Sequence, residues 1–169
     1  GSYLITSYLY KMGHRKIGFV GNYLNTSSTL DRYMGYLKAL IENEIGKDIE
    51  KYTVFDKDLS NGGIELDFPQ EMPTAFVCKN DKVANAFISK LKEQGYRVPE
   101  DVSVVGFDNF DRTDKYSMGI TTVEVDFITM AQKAVELIIA KIKDPSYNQG
   151  RILINCRLVI KESVKDLQK

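Results

Sequence analysis

Three short apolar runs in this chain end on polar side chains suited to holding a small polar ligand. Lys16-Ile17-Gly18-Phe19-Val20-Gly21 leads into Asn22, Thr74-Ala75-Phe76-Val77-Cys78 into Lys79-Asn80-Asp81, and Val102-Ser103-Val104-Val105-Gly106-Phe107 into Asp108-Asn109. Apolar runs of this length without alternation read as strands covered on both faces. Open α/β sheets bind their ligands at the carboxyl ends of the strands. If the three strands are parallel neighbours, Asn22, Asn80, Asp81, Asp108 and Asn109 surround one crevice. There the carboxylates accept hydrogen bonds and the amides both donate and accept them.

The elements that must position these groups can be read from periodicity. Tyr3, Leu4, Tyr8, Leu9 and Met12 mark one face of an opening, uncapped helix that Gly13 stops. After the first strand, Leu30, Met34, Leu37, Leu40 and Ile41 form the stripe of a helix over 30–43, and residues 52–55 read as a second strand. In the segment 57–71, Asn61-Gly62-Gly63 and Pro69 leave room for at most a short helix. A helix over 81–94, closed by Gly95, separates the next two strands. A long amphipathic helix over 126–143, with Met130, Ala134, Val135, Leu137, Ile138 and Ile142 on its stripe, precedes a loop over 144–150 and a final strand over 151–160. Strands alternating with helices predict an α/β fold, a parallel sheet flanked by helices.

Composition narrows the function classes. The 23 basic and 23 acidic side chains cancel, so no global field draws this chain to nucleic acid. No apolar window is long enough for a membrane span, and the amino terminus lacks the pattern of a signal peptide, so the chain reads as cytoplasmic and not membrane-bound. No phosphate-cradling glycine loop follows a strand, and no serine or cysteine nucleophile has a suitable histidine, so no enzyme is expected and no cofactor. The sole histidine, His14, has no metal-binding partner at a useful spacing and reads as structural. Cys78 and Cys156 fall inside predicted strands, where a free cysteine behaves as a small apolar side chain.

Six segments taken together resemble the LacI/GalR family of bacterial transcriptional regulators. They are Gly13 to Gly21, Arg32-Tyr33-Met34-Gly35-Tyr36, Pro73 to Asp81, Val98 to Asn109, Thr121-Thr122-Val123 and Arg157 to Ser163. The resemblance implies the carboxyl-terminal part of a type I periplasmic-binding-protein-like effector core, in which two subdomains joined by three crossing segments close over a small molecule. Residues 1–15 would then be a helix of the amino-terminal subdomain and 16–120 the carboxyl-terminal, effector-binding subdomain. Residues 121–150 would carry a crossover and a helix of the amino-terminal subdomain, and 151–169 the return strand. Operator DNA is expected to be read only by a helix-turn-helix module that this chain does not contain. A sugar-binding protein of a transport system, with the same fold, is the alternative.

Carried over position by position, the resemblance makes Arg32, Asn80 and Asp108 effector contacts. Guanidinium and carboxylate can each engage two neighbouring oxygens, which suits a sugar. Thr26 and Ser28 match hydroxyl contacts of some sugar-responsive members, and Phe127 matches an aromatic on the far wall of the cleft. Each has a plain alternative: a surface arginine, a capping asparagine, a turn aspartate, a core aromatic. Asp81 reads as the cap of its helix and Asn80 as the ligand contact. The opening helix and the 126–143 helix are expected to bury their stripes on each other or on a second copy, giving a homodimer.

Overall fold

The computed structural model describes residues 1–47, 49–60, 63–109 and 119–169. Its centre is a parallel four-stranded sheet of β1 (Ile17–Val20), β2 (Thr53–Val54), β5 (Ala75–Cys78) and β6 (Ser103–Val105), in the order β2-β1-β5-β6. The three strands read from sequence are thus adjacent and parallel. Side chains alternate across them with the period of two that pleating imposes. Ile17, Phe19, Ala75, Val77 and Val105 enter one core with Ile5, Leu9, Tyr33, Tyr36 and Leu40. Val20, Phe76, Cys78 and Val104 enter the other, with Val83, Phe87 and Leu91.

The first core is covered by α1 (Ser2–Lys11) and α2 (Ser27–Glu42), which pack on each other; the second is covered by α3 (Asp81–Glu93) and a hairpin. That hairpin, β3 (Asp56–Asp58) paired antiparallel with β4 (Ile64–Leu66), stands where the sequence predicts at most a short helix. Ile64 and Leu66 alternate with exposed Glu65, and this period of two decides for strand over helix.

Both helix stripes on the first core are rotated from expectation. In α1 the buried face is Ser2, Ile5, Thr6 and Leu9, and Tyr3 and Leu4 are exposed. In α2, which begins at Ser27 and not near residue 30, it is Thr29, Tyr33, Tyr36, Ala39 and Leu40, leaving Leu30, Met34 and Ile41 exposed. Tyrosine accounts for the second shift, because Tyr36 buries its whole ring and still donates its hydroxyl to the Ile17 carbonyl at 2.7 Å. The opening helix therefore packs on α2 and not on the 126–143 helix.

The remaining elements lie past the β6 edge. β7 (Thr122–Val125) pairs antiparallel with β8 (Cys156–Val159), and the bridges Val105 to Thr121 and Asp108 to Glu124 set β7 beside β6. The final strand is shorter than its predicted 151–160 span and joins β7 instead of the central sheet. α4 (Phe127–Lys143) has no buried residue.

Candidate functional site

Arg32 and Asp108 form the centre of the site. Arg32 reaches from the second turn of α2 to the carboxyl ends of β5 and β6. There Nη1 donates to the Lys79 carbonyl at 2.5 Å, Nη2 donates to Asp108 Oδ1 at 3.0 Å, and the guanidinium lies 4.1 Å over the Phe107 ring. A planar cation held on its face and at two edges has a single orientation. Asp108 is fixed as well: its φ of 100° lies in the left-handed region, and its N–H donates to the Val123 carbonyl at 2.8 Å. Non-glycine residues in that region concentrate at ligand sites.

Asn80 is the N-cap of α3, its side chain accepting from the Val83 N–H at 2.9 Å. The cap is therefore Asn80 and not Asp81, with Oδ1 committed to the helix and the amide NH2 as the group Asn80 presents as a donor. Asp81 is buried and accepts from Thr122 Oγ1 at 2.7 Å. This is possible because residue 106 is glycine, where a Cβ would sit 1.9 Å from Asp81 Oδ1.

Asp108, Asn109 and Phe127 line a cavity of about 370 Å³ together with Glu124, Asp126 and Ile128. Its size falls in the range of small-molecule sites. Asn109 donates to Glu124 Oε2 at 2.8 Å and accepts from Lys161 Nζ at 3.1 Å, which ties the rim to β7 and to the segment that follows β8. Arg157 also donates to Glu124, and with Asn109 it holds that carboxyl below the usual carboxylate range. Phe127 is 53% exposed on the first turn of α4, so the alternative of a core aromatic does not hold for this chain.

Asn22 faces a second cavity, of about 600 Å³, shared with Asn25, Phe55, Asp56, Asp58 and Asp67. Thr26 and Ser28 are exposed and turned to local work: Thr26 caps α2 by accepting from the Thr29 N–H, and its hydroxyl meets Ser28 Oγ at 3.1 Å. The expected sites thus separate into an Arg32, Asp108, Asn109 and Phe127 group, Asn80 beside it, and Asn22 on the neighbouring cavity.

Two residues absent from the expected set stand at the same edge. Lys79 Nζ lies 2.5 Å from Asp56 Oδ2, and the other Asp56 oxygen accepts from the Asn22 N–H at 2.6 Å. Asp56 follows the second predicted strand directly, so the strand-end pattern that selects Asn22, Asn80 and Asp108 applies to it too. His14 is buried between Thr74 Oγ1 and the Lys165 carbonyl, a structural position; burial pushes its pKa down. Among the described residues no cluster of three or more acidic, histidine or cysteine side chains could hold a metal, and no helix is long and apolar enough to cross a membrane.

A family profile for a periplasmic binding protein-like domain matches residues 6–164. The chain is 33% identical to an HTH-type transcriptional repressor PurR of Vibrio atlanticus over 99% of its own length and 51% of the relative's. It is 35% identical to the repressor of the same name in Pasteurella multocida, over 98% and 50%. The chain thus spans about half the length of the curated relatives it matches. Among solved structures, a LacI family regulator of Enterococcus faecium with bound ribose superposes with a TM-score of 0.82 at 23% identity, over 99% of this chain and 63% of the other. A dimeric Lac repressor gives a TM-score of 0.81 at 25% identity, over 98% and 61%. A CelR regulator in complex with cellobiose gives 0.82 at 22%, over 96% and 51%.

Proposed function

The chain belongs to the periplasmic binding protein-like domain family, and on that premise we propose that it is the effector-sensing region of a bacterial transcriptional repressor. Its effector is a small molecule, a sugar by preference, bound at the carboxyl edge of the sheet. The observation that carries this reading is the Arg32–Asp108 pair. A fixed donor fork and a fixed carboxylate side by side match two adjacent hydroxyl groups, one accepting and one donating. Phe127 on the same rim offers an aromatic face to the C–H face of a sugar ring. Asn80 adds its amide donors and Asn109 supports the rim, while Asn22, Thr26 and Ser28 stand at the outer edge. The work is binding, with no covalent step and no cofactor.

In this reading residues 16–120 and 151–169 form the effector-binding subdomain, and 121–150 supply a crossover and a helix of the other one. α1 joins the first, because it packs on α2. Operator DNA is bound through a helix-turn-helix outside this chain, by a homodimer, in the cytoplasm. Calorimetric titration with ribose, cellobiose and glucose tests the proposal. Saturable binding of one of them that Arg32→Ala weakens about tenfold or more supports it. Binding that survives both Arg32→Ala and Asp108→Ala refutes the site.

A further inference from the structure

Lys79 carries a long side chain from the end of β5 across the end of β1 to the segment after β2, and almost all of it is withdrawn from water. The side chain is 13% exposed and that of its partner Asp56 is 1% exposed. It takes this course because residue 21 is glycine: a Cβ there would lie 2.7 Å from Lys79 Cβ and 3.0 Å from its Cδ. The Lys79 N–H donates to the Val20 carbonyl at 2.8 Å, and the Gly21 N–H to the Val54 carbonyl at 2.8 Å. One residue therefore links three adjacent strand ends. Through its carbonyl, which accepts from Arg32, it also touches the guanidinium that bonds Asp108 on the cavity rim.

We propose that Lys79 is a positioning residue of the effector site, acting with Asp56 as a buried strap that holds the Arg32 fork and the Asn22 loop in register. This rests on the reading of Arg32 as an effector contact, but the geometry it invokes belongs to the free protein. Burying a lysine and an aspartate costs solvation that their mutual pairing offsets together with the Asn22 N–H, so removing the lysine leaves a carboxylate charge without its counter-ion and not a small local gap. Asp56 relieves that charge by turning toward water. In doing so it releases the Asn22 N–H and the segment from which Lys79 presents its carbonyl.

The test is hydrogen exchange measured by NMR on the unliganded chain, for the Asn22 amide and the Arg32 guanidinium. The Leu9 and Val77 amides report global opening, and the Arg97 guanidinium, paired with Asp101, serves as a remote control. Lys79→Met is expected to speed exchange at Asn22 and Arg32 by about tenfold relative to the global reporters. Lys79→Arg restores protection at both. If Lys79→Met changes Asn22 and Arg32 only in step with Leu9 and Val77, the side chain contributes bulk stability and the proposal fails. A second arm titrates ribose and cellobiose into each variant. Absence of binding to the unmodified chain bears on the effector assignment alone, since the exchange result needs no ligand.

Discussion

Arg32 Nη2 stands 3.0 Å from Asp108 Oδ1 although the two residues are 76 positions apart, one on a helix and one past the end of a strand. The pair is partly open to solvent, with side chains 21% and 26% exposed. An ion pair of that exposure adds at most about 1 kcal/mol to folding. Its geometry therefore serves recognition more than stability, and the two roles can be separated by measurement.

For Arg32→Ala and Asp108→Asn, the melting midpoint should fall by no more than a few degrees, as expected for a loss near 1 kcal/mol in a chain of this size. Affinity for a bound sugar should fall about tenfold or more, in keeping with about 1.5–3 kcal/mol for a hydrogen bond to a charged group. A double-mutant cycle should show strong coupling between the two. Additive effects would mean that the side chains do not act on the ligand together.

Asn80 has two roles that chemistry can divide. Asn80→Asp keeps an oxygen acceptor for the Val83 N–H, so α3 retains its cap and the melting midpoint should hold. Asn80→Ala loses the cap at a cost of about 1 kcal/mol. If the amide donors contact the effector, Asn80→Asp weakens sugar binding as much as Asn80→Ala does. Full affinity in the aspartate variant would confine Asn80 to capping.

Much of this arrangement was legible in the sequence wherever one element decides it alone. Uninterrupted apolar runs mark β1, β5 and β6 as buried parallel strands, and that places Asp108 and Asn80 on the carboxyl edge. Helix faces were harder, because α2 carries two apolar rows, and both suit a helical period. Only packing chose the row through Tyr33 and Tyr36 over the row through Leu30 and Met34. The Lys79–Asp56 pair was least legible: a lysine at a strand end looks solvated until three strand ends and Gly21 are brought together.

His14 links stability to pH. Burial lowers its pKa from the ordinary value of 6.5, so the folded protein holds the ring neutral where the unfolded chain would protonate it. The stabilisation is complete above pH about 6.5 and is lost as pH falls through the lowered folded value. The melting midpoint should begin to drop below pH about 6.5, before the carboxylates near pH 4 titrate. His14→Asn should be less stable at pH 8 and flat across that interval. An unchanged slope in the variant would move the effect to another group.

The outward face of α4 leads to the last prediction. Phe127, Ile128, Val135, Ile138, Ile139 and Ile142 are between 46% and 75% exposed, and the helix buries no residue against the rest of the chain. Ile128, Val135, Ile138 and Ile142 recur at helical spacing, so they form one continuous stripe. Each such side chain gains about 1.5–3 kcal/mol on full burial, and a monomer with that much contiguous apolar surface in water is unstable toward association. One of the superposing structures is a dimeric repressor. The chain should therefore self-associate at micromolar concentration through α4, and light scattering should give a mass that rises with concentration. Ile138→Glu and Ile142→Lys place a charge on the stripe without breaking the helix, so both should shift the mass toward the monomer while circular dichroism keeps its helical signal. A mass that stays dimeric in both variants would assign the interface elsewhere, with the exposed row of Leu30, Met34 and Ile41 on α2 as the next surface to test.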